Sequence, residues 1–461
     1  MSVNTTNQPI QDKPAAIPAS NQRLSIFKQL ILSTQWFATN LHWGALLLII
    51  IPSQTGKIAP ERKAEAQGFI LGIGAFMALV VPLVAGALSD RCTSRWGRRR
   101  PFIAVGTAVN LVGLLALFYA GSQRSLFLYL LGYLVVQFGN GVATAAYSGV
   151  IPDMVPESHR GEASGYMAMM SQSGTILGAI GAGQLLDRGY IGLSYALIAA
   201  VMIGLTIVTL VGVKETPLKV QPEPLDWKKF LSSLFSPFHY SNFVWVWITR
   251  ALVTMGMWSV QPFIQYYLTD VVHVEHAEKI AGYLLAVILA GATITGVIGG
   301  KISDYVGRKK VVYVANTIIA VASIGFVFSH SLLYTFIVGA IYGLGYGAYY
   351  SVDWALGCDA LPNKEDAGKD LGVWHISMVL PQSLAPMLAG WLLGVFPHAI
   401  VQEGAEKVSH YSLAGYKMIF GMGAFFLMLG AVLLRNVTES HTRPNSLYPD
   451  PTRYPVEPQG Q

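Results

Sequence analysis

Gly86-Ala-Leu-Ser-Asp-Arg-Cys-Thr-Ser-Arg-Trp-Gly-Arg-Arg-Arg-Pro101 lies between two segments too rich in aliphatic residues to be water-soluble helices, so it reads as a short, strongly basic loop at one face of a membrane. The chain repeats it. Gly300, Ser303 and Asp304 stand 214 positions after Gly86, Ser89 and Asp90, and Gly307-Arg308-Lys309-Lys310 echoes Gly97-Arg98-Arg99-Arg100 after a shorter spacer. A second echo follows in the same order: Ile151-Pro152-Asp153-Met154-Val155-Pro156, then Gly357-Cys358-Asp359-Ala360-Leu361-Pro362. Two loop types recurring in one order mean two homologous halves.

Working outward from the loops, the composition agrees. Over 461 residues the chain is 53% hydrophobic and 12% charged, about half the charge of a soluble protein. It is a polytopic membrane protein. The net charge of +6 resides in short loops between apolar stretches, which is an orientation signal and not a nucleic-acid surface. Cys92 and Cys358 imply no disulfide framework and have no partners at metal-ligand spacing. There is no Walker loop and no His/Glu cluster on a helix, so neither an enzyme nor a cofactor or metal is expected.

Twelve segments are long enough to cross the hydrocarbon: Leu30–Ile51, Gly68–Leu88, Phe102–Ala120, Leu126–Ile151, Gly165–Leu186, Tyr195–Val213, Phe243–Val271, Ile280–Gly299, Val311–Phe328, Leu332–Leu356, Leu371–Phe396 and Leu413–Leu434. The predicted architecture is all-α, two six-helix halves at 30–213 and 243–434. They are joined by a linker at 214–242 and flanked by tails at 1–29 and 435–461, the last proline-rich and expected to be disordered. Leu225–Phe235 within the linker is weakly amphipathic and suited to lying on the membrane surface. Lys and Arg concentrate on the side that carries both termini, which predicts cytoplasmic termini. Pro52–Gln67 and His398–Ser412 are then outer loops.

Polar residues at helical spacing inside a span mark a face turned away from lipid. Trp36, Asn40 and Trp43 form such a stripe in the first span, and Gln137, Asn140, Thr144 and Tyr147 in the fourth. Arg250, Thr254, Trp258, Gln261 and Gln265 step along the seventh, and Tyr342, Tyr346, Tyr349 and Asp353 along the tenth. Aromatic rings beside amides suit a neutral polyhydroxylated ligand, whose ring face stacks while its hydroxyls exchange hydrogen bonds with groups that both donate and accept. Trp36, Asn40, Gln137, Asn140, Trp258, Gln261, Tyr346 and Tyr349 are therefore the candidate substrate contacts; the competing reading is that they bond only neighbouring helices. An unpaired charge at the bilayer centre costs about 2.5–3.5 kcal/mol on insertion scales, so Arg250 and Asp353, at similar depth, are expected to pair. Such a pair either couples transport to protons or clamps two helices. His42 is a further protonation candidate, weighed against a packed neutral imidazole.

Ser89 to Ile103 and its second copy resemble the loop signature of the major facilitator superfamily, and Ser89–Arg95 with Arg98-Arg99-Arg100-Pro101-Phe102-Ile103 resembles its sucrose-transporter-like branch. The resemblance implies that the first, fourth, seventh and tenth helices line a central cavity between rocking halves. It implies that Asp90 and Asp304 act as gating latches with Arg91, Arg98, Arg99 and Arg308. Asn140 and Asp153 fall at positions of the branch's pattern, whereas Gln137 and Ser148 stand where plant sucrose carriers have an aspartate and an arginine. Tyr350-Ser351-Val352-Asp353-Trp354-Ala355-Leu356 resembles Tyr-Ser-Ile-Pro-Phe-Ala-Leu, with Asp353 replacing the proline. The chain thus resembles a compact bacterial relative. The resemblance implies a secondary carrier of the cell membrane, a monomer embedded in the lipid bilayer and working by alternating access. The favoured reading is proton-coupled symport of a sugar or glycoside; the alternative is an exporter or facilitator of another small organic solute.

Overall fold

The computed structural model describes residues 25–155, 160–213, 215, 226–329, 331–361, 367–403 and 406–438. Twelve long helices run through these residues: α1 (Ile26–Ile58), α2 (Pro60–Asp90), α3 (Arg100–Ser122), α4 (Leu126–Ser148), α5 (Arg160–Asp187), α6 (Ile191–Gly212), α7 (Ser241–Asp270), α8 (Ala277–Val306), α9 (Arg308–Val327), α10 (Leu332–Asp359), α11 (Ala367–Val395) and α12 (Leu413–Asn436). Eleven are long and apolar enough to cross a membrane. The exception, α5, carries Ser171, Gln172, Ser173 and Thr175 at mid-length and packs between α1 and α8. A two-stranded antiparallel hairpin, β1 (His398–Glu403) with β2 (Glu406–Tyr411), joins α11 to α12. The face that bears it is called the hairpin face below, and the opposite face, with the repeated basic loops, the motif face.

The duplication extends into the backbone. Gly97 and Gly307, the repeated glycines of the basic loops, both have a left-handed φ, +100° and +96°, that a side chain would strain. Ser125 and Ser331 hold equivalent N-caps, each hydroxyl accepting an N–H three residues on, from Leu128 in α4 and Tyr334 in α10. Within the halves α4 packs on α3 and α2, and α10 on α9 and α8, repeating one arrangement. The halves meet through α2 against α11 and α5 against α8. Gly68 of α2 and Gly282 of α8, again 214 positions apart, let these backbones close up: a Cβ on Gly68 would lie 2.5 Å from the Pro386 carbonyl oxygen, and one on Gly282 would lie 2.7 Å from that of Ala179.

Polar contacts between the halves gather at the hairpin face. Ser53 donates to Glu278, Gln184 to the Tyr283 hydroxyl, Gln67 to the Pro262 carbonyl, and His276 meets Asp187.

Several boundaries differ from the sequence-based expectation. The supposed outer loop Pro52–Gln67 is largely helical, because α1 continues to Ile58 through a widened π turn at Leu46–Ile50 and α2 begins at Pro60. His398–Ser412 is not an irregular loop but the hairpin. The seventh helix is not continuous: it stops at Trp258, passes through a 3₁₀ turn at Gln261–Phe263 and resumes at Ile264. Pro262 has no N–H for the Trp258 carbonyl, which ends the first segment there. Both tails and most of the linker, including Leu225, lie outside the described residues; Trp227–Ser233 is a short helix with Trp227 and Leu231 exposed.

Candidate functional site

Arg250, midway between the α7 break and its motif-face end, meets Asp353 of α10. The guanidinium Nε lies 2.9 Å from one carboxylate oxygen, and both side chains are 5% exposed. The other oxygen accepts from the Tyr349 hydroxyl at 3.0 Å, one helical turn away. Arg250 further donates to the Trp374 carbonyl at 3.3 Å and to Met378 sulfur at 3.5 Å, and its guanidinium carbon sits 3.3 Å from the Trp374 ring centroid. Trp374 in turn meets Trp354 edge-on at 5.3 Å. A buried charge pair is thus held by three helices, α7, α10 and α11, with a hydroxyl on its acid and an indole under its base.

Tyr342, Tyr346 and Tyr350 continue along α10, with ring centroids 6.4 Å apart for the first two and 4.5 Å for the last two. Trp258 and Gln261 flank the α7 break, both half-buried. Gln261 also borders a cavity of about 30 Å³, with Leu48 of the α1 π turn, Val260, Leu284 and Tyr342, where the irregular turns of α1 and α7 come together. Such a volume is enough for about one water. Gln265 lies in the segment that resumes at Ile264, so the predicted five-residue stripe is interrupted by the break.

In the other half Trp36 rests against Tyr147 of α4 at 5.7 Å. Asn40 donates to the Trp36 carbonyl at 2.8 Å, Asn140 accepts from Thr144 at 3.5 Å, and Gln137 donates to the Tyr133 hydroxyl at 2.8 Å. Each amide thus has one atom engaged within its own helix. Among the described residues no hydrogen bond joins these four to Trp258, Gln261, Tyr346 or Tyr349. His42 belongs elsewhere: it lies seven residues after Gln35, which accepts from Thr206 of α6, and so shares the face of α1 that packs on α6. It is fully buried, neither ring nitrogen has a hydrogen-bond partner, and its ring lies against Trp43 at 4.6 Å. The structure does not bring it to Arg250 and Asp353.

At the motif face Arg99 bridges Asp90 at 2.6 Å and Asp153 at 3.1 Å, and Arg98 adds a contact of 2.5 Å to Asp153. These join two loops of the same half, and the Ser89 hydroxyl donates to the Arg98 carbonyl within the first of them. Arg91 is exposed and, among the described residues, its side chain donates only to the Ala87 carbonyl. In the second half Arg308 is taken by Asp359, the acid of the other repeated loop. Asp304 is exposed and makes no ion pair among the described residues, so the two latch acids are not equivalent here.

Sequence reasoning passed over Trp374, which no periodicity distinguishes, and a second buried ion pair. Lys63 Nζ lies 3.0 Å from Asp270 at the hairpin face, with side chains 5% and 0% exposed. Asp270 is an acid inside an apolar segment, the same signal that marks Asp353.

Comparison with known proteins now adds the family. The model of the Major Facilitator Superfamily matches residues 30–365 and 246–458. An uncharacterized MFS-type transporter of Methanocaldococcus jannaschii is 24% identical over 73% of this chain and 82% of its own length. A multi-drug resistance efflux pump of Streptococcus pneumoniae is 23% identical over 69% of this chain and 78% of its own. A sucrose transport protein of Arabidopsis thaliana is 24% identical over 38% of each. Among solved structures, a bacterial homolog of the human lysosomal transporter Spinster, inward-facing and unoccupied, superposes with a TM-score of 0.68 at 16% identity over 90% of this chain and 98% of that one. The nucleoside transporter NupG gives 0.68 at 12% identity over 89% and 99%.

Proposed function

The chain belongs to the major facilitator superfamily of transporters, and from that premise we propose that it carries a sugar or glycoside across the cell membrane by proton-coupled symport. The observation that carries the coupling is the buried Arg250–Asp353 pair with Tyr349 on Asp353. On this reading Asp353 exchanges its Arg250 partner for a proton as the cavity rearranges and the contact lengthens, and re-forming the pair expels that proton. Proton binding and gate opening then alternate.

The substrate class rests on the aromatic and amide groups of α1, α4, α7 and α10, and on this reading Trp36, Asn40, Gln137 and Asn140 of one half share the cargo with Trp258, Gln261, Tyr346 and Tyr349 of the other. The match to a sucrose transport protein supports the same reading. With the termini cytoplasmic, as the positive-inside rule has it, the hairpin face is the outer one, and the contacts gathered there correspond to an inward-facing monomer. Export of amphipathic compounds is the second reading, favoured by the longer match to an efflux pump.

Reconstitution into proteoliposomes with a panel of sugars, glycosides and amphipathic cations, with and without an imposed pH gradient, separates the two. Accumulation of a hydroxylated solute driven by inward proton flow supports symport. Exclusive outward movement of amphipathic solutes replaces it with export. Asn140→Ala is expected to weaken a hydroxylated substrate by about 1–3 kcal/mol through an unpaired hydroxyl, read as a rise in the concentration for half-maximal uptake.

A further inference from the structure

Asp270, the last residue of α7, is ringed by four donors. One carboxylate oxygen takes Lys63 Nζ at 3.0 Å and lies 3.2 Å from His410 Nδ1; the other accepts from the Tyr416 hydroxyl at 2.8 Å and the Tyr411 N–H at 3.2 Å. His410 and Tyr411 belong to β2, and Tyr416 to α12, all in the same half as Asp270. Lys63, on α2, comes from the other half, and its ammonium also lies 5.0 and 5.7 Å from the ring centroids of Tyr266 and Tyr411. The hairpin reaches further. The Tyr411 hydroxyl accepts the Ala64 N–H at 3.1 Å and donates to Glu65 at 2.9 Å, while Ser409 donates to the Glu61 carbonyl at 2.5 Å. Ala64 is in the first turn of α2, where a helix has no internal acceptor for its N–H groups, so Tyr411 caps α2 from across the interface. Burial pushes the Tyr411 phenol well up, so it remains a donor to Glu65.

We propose that Lys63, Asp270 and the β1–β2 hairpin form the latch of the hairpin face, and that Lys63 is the part that comes away when the halves separate there. The inference deepens the alternating-access reading and rests on it. Separation leaves Asp270 with three of its four donors. Lys63 loses its carboxylate and both rings at once and must be rehydrated. The hairpin is the strap that carries this contact and the α2 cap together. The latch is built unequally: one half holds a finished anion site, and the other contributes a removable cation.

Spin labels at Gln123→Cys and Leu333→Cys, one at the hairpin face of each half, read the gap by double electron–electron resonance on the full chain in lipid nanodiscs, in a Cys92→Ser/Cys358→Ser background and with no solute added. The short separation should dominate in the otherwise unsubstituted chain. Lys63→Gln and Tyr411→Phe should each raise the ratio of long to short separations about tenfold or more. Asp270→Asn should raise it further, because it strands a buried ammonium. The exchange Lys63→Asp with Asp270→Lys should not restore closure, since the Tyr411 N–H and the Tyr416 hydroxyl would then face a cation. Lys63→Met keeps the apolar stem and replaces Lys63→Gln if that variant does not fold. Unchanged separations in the Lys63 and Tyr411 variants, or full restoration by the exchange, overturn the proposal. A widened gap without transport of any tested solute would remove the carrier reading and leave the latch, whereas pH-driven uptake with unchanged separations would do the reverse.

Discussion

Guanidinium chemistry explains why position 250 carries arginine and not lysine. The planar group meets Asp353 through Nε, reaches the Trp374 carbonyl and Met378 through its terminal nitrogens, and lays its face on the Trp374 indole. A lysine ammonium is a point donor on a flexible stem and reproduces none of the stacking. Arg250→Ala should destabilise the fold by about 3–5 kcal/mol, the usual result of leaving one member of a buried pair uncompensated, measured as a lowered denaturation midpoint. Asp353→Asn should abolish accumulation driven by a pH gradient and spare exchange of solute between equilibrated compartments. Full pH-driven accumulation in that variant would make the pair a clamp between α7 and α10. The pair was legible in sequence because an ionisable residue inside an apolar span is expensive and so informative. Trp374 was not, because an aromatic residue in a membrane helix is ordinary until its neighbour is known. Lys63 was hidden for a different reason: the segment 52–67 is polar enough to read as loop, and only its helical continuation buries the lysine between the halves.

Helix number and order were readable from apolar length and from the repeated loops, but the breaks inside helices were not. Pro52 and Pro262 each leave a carbonyl four residues earlier without its helical donor; α1 answers with a π turn and stays continuous, whereas α7 stops and restarts. A period count treats both as straight rods, which is why Gln265 was carried onto the cavity stripe. The hairpin was likewise missed, although Gly404 between Ile400-Val401 and Val408 is a turn signal between β-branched residues. Tight helix pairs make the strongest prediction at this level. A side chain at Gly282 would drive α8 from α5, since its Cβ would already lie 2.7 Å from a backbone oxygen that cannot turn aside. Gly282→Leu should therefore open the hairpin face and slow turnover while leaving membrane insertion intact. Cysteine labelling from that face should rise; unaltered labelling would mean that the backbones part by some other route.

Across the whole molecule the scaffold and the arginine–aspartate pairing of the motif loops are duplicated, and the two buried ion pairs are not. The loop glycines, the N-cap serines and the close-approach glycines recur in both halves, whereas among the described residues Arg250–Asp353 and Lys63–Asp270 each occur once. On the proposed mechanism, rocking uses a near-symmetric frame and its control uses unrepeated contacts at different depths. Asp90→Asn removes one of the two carboxylates on Arg99, and on the superfamily's latch reading it should shift the population toward the state open at the motif face and slow turnover. Labelling from both faces checks this; unchanged labelling together with unchanged transport would exclude it. The docked hairpin has a consequence for reagents that never enter the bilayer. Ile400 and Val401 present half-exposed side chains on β1, while β2 is fastened to α2 by Ser409 and Tyr411. An antibody fragment selected against that docked shape would add its binding energy to the state closed at the hairpin face, and would hold the protein there without competing with its cargo.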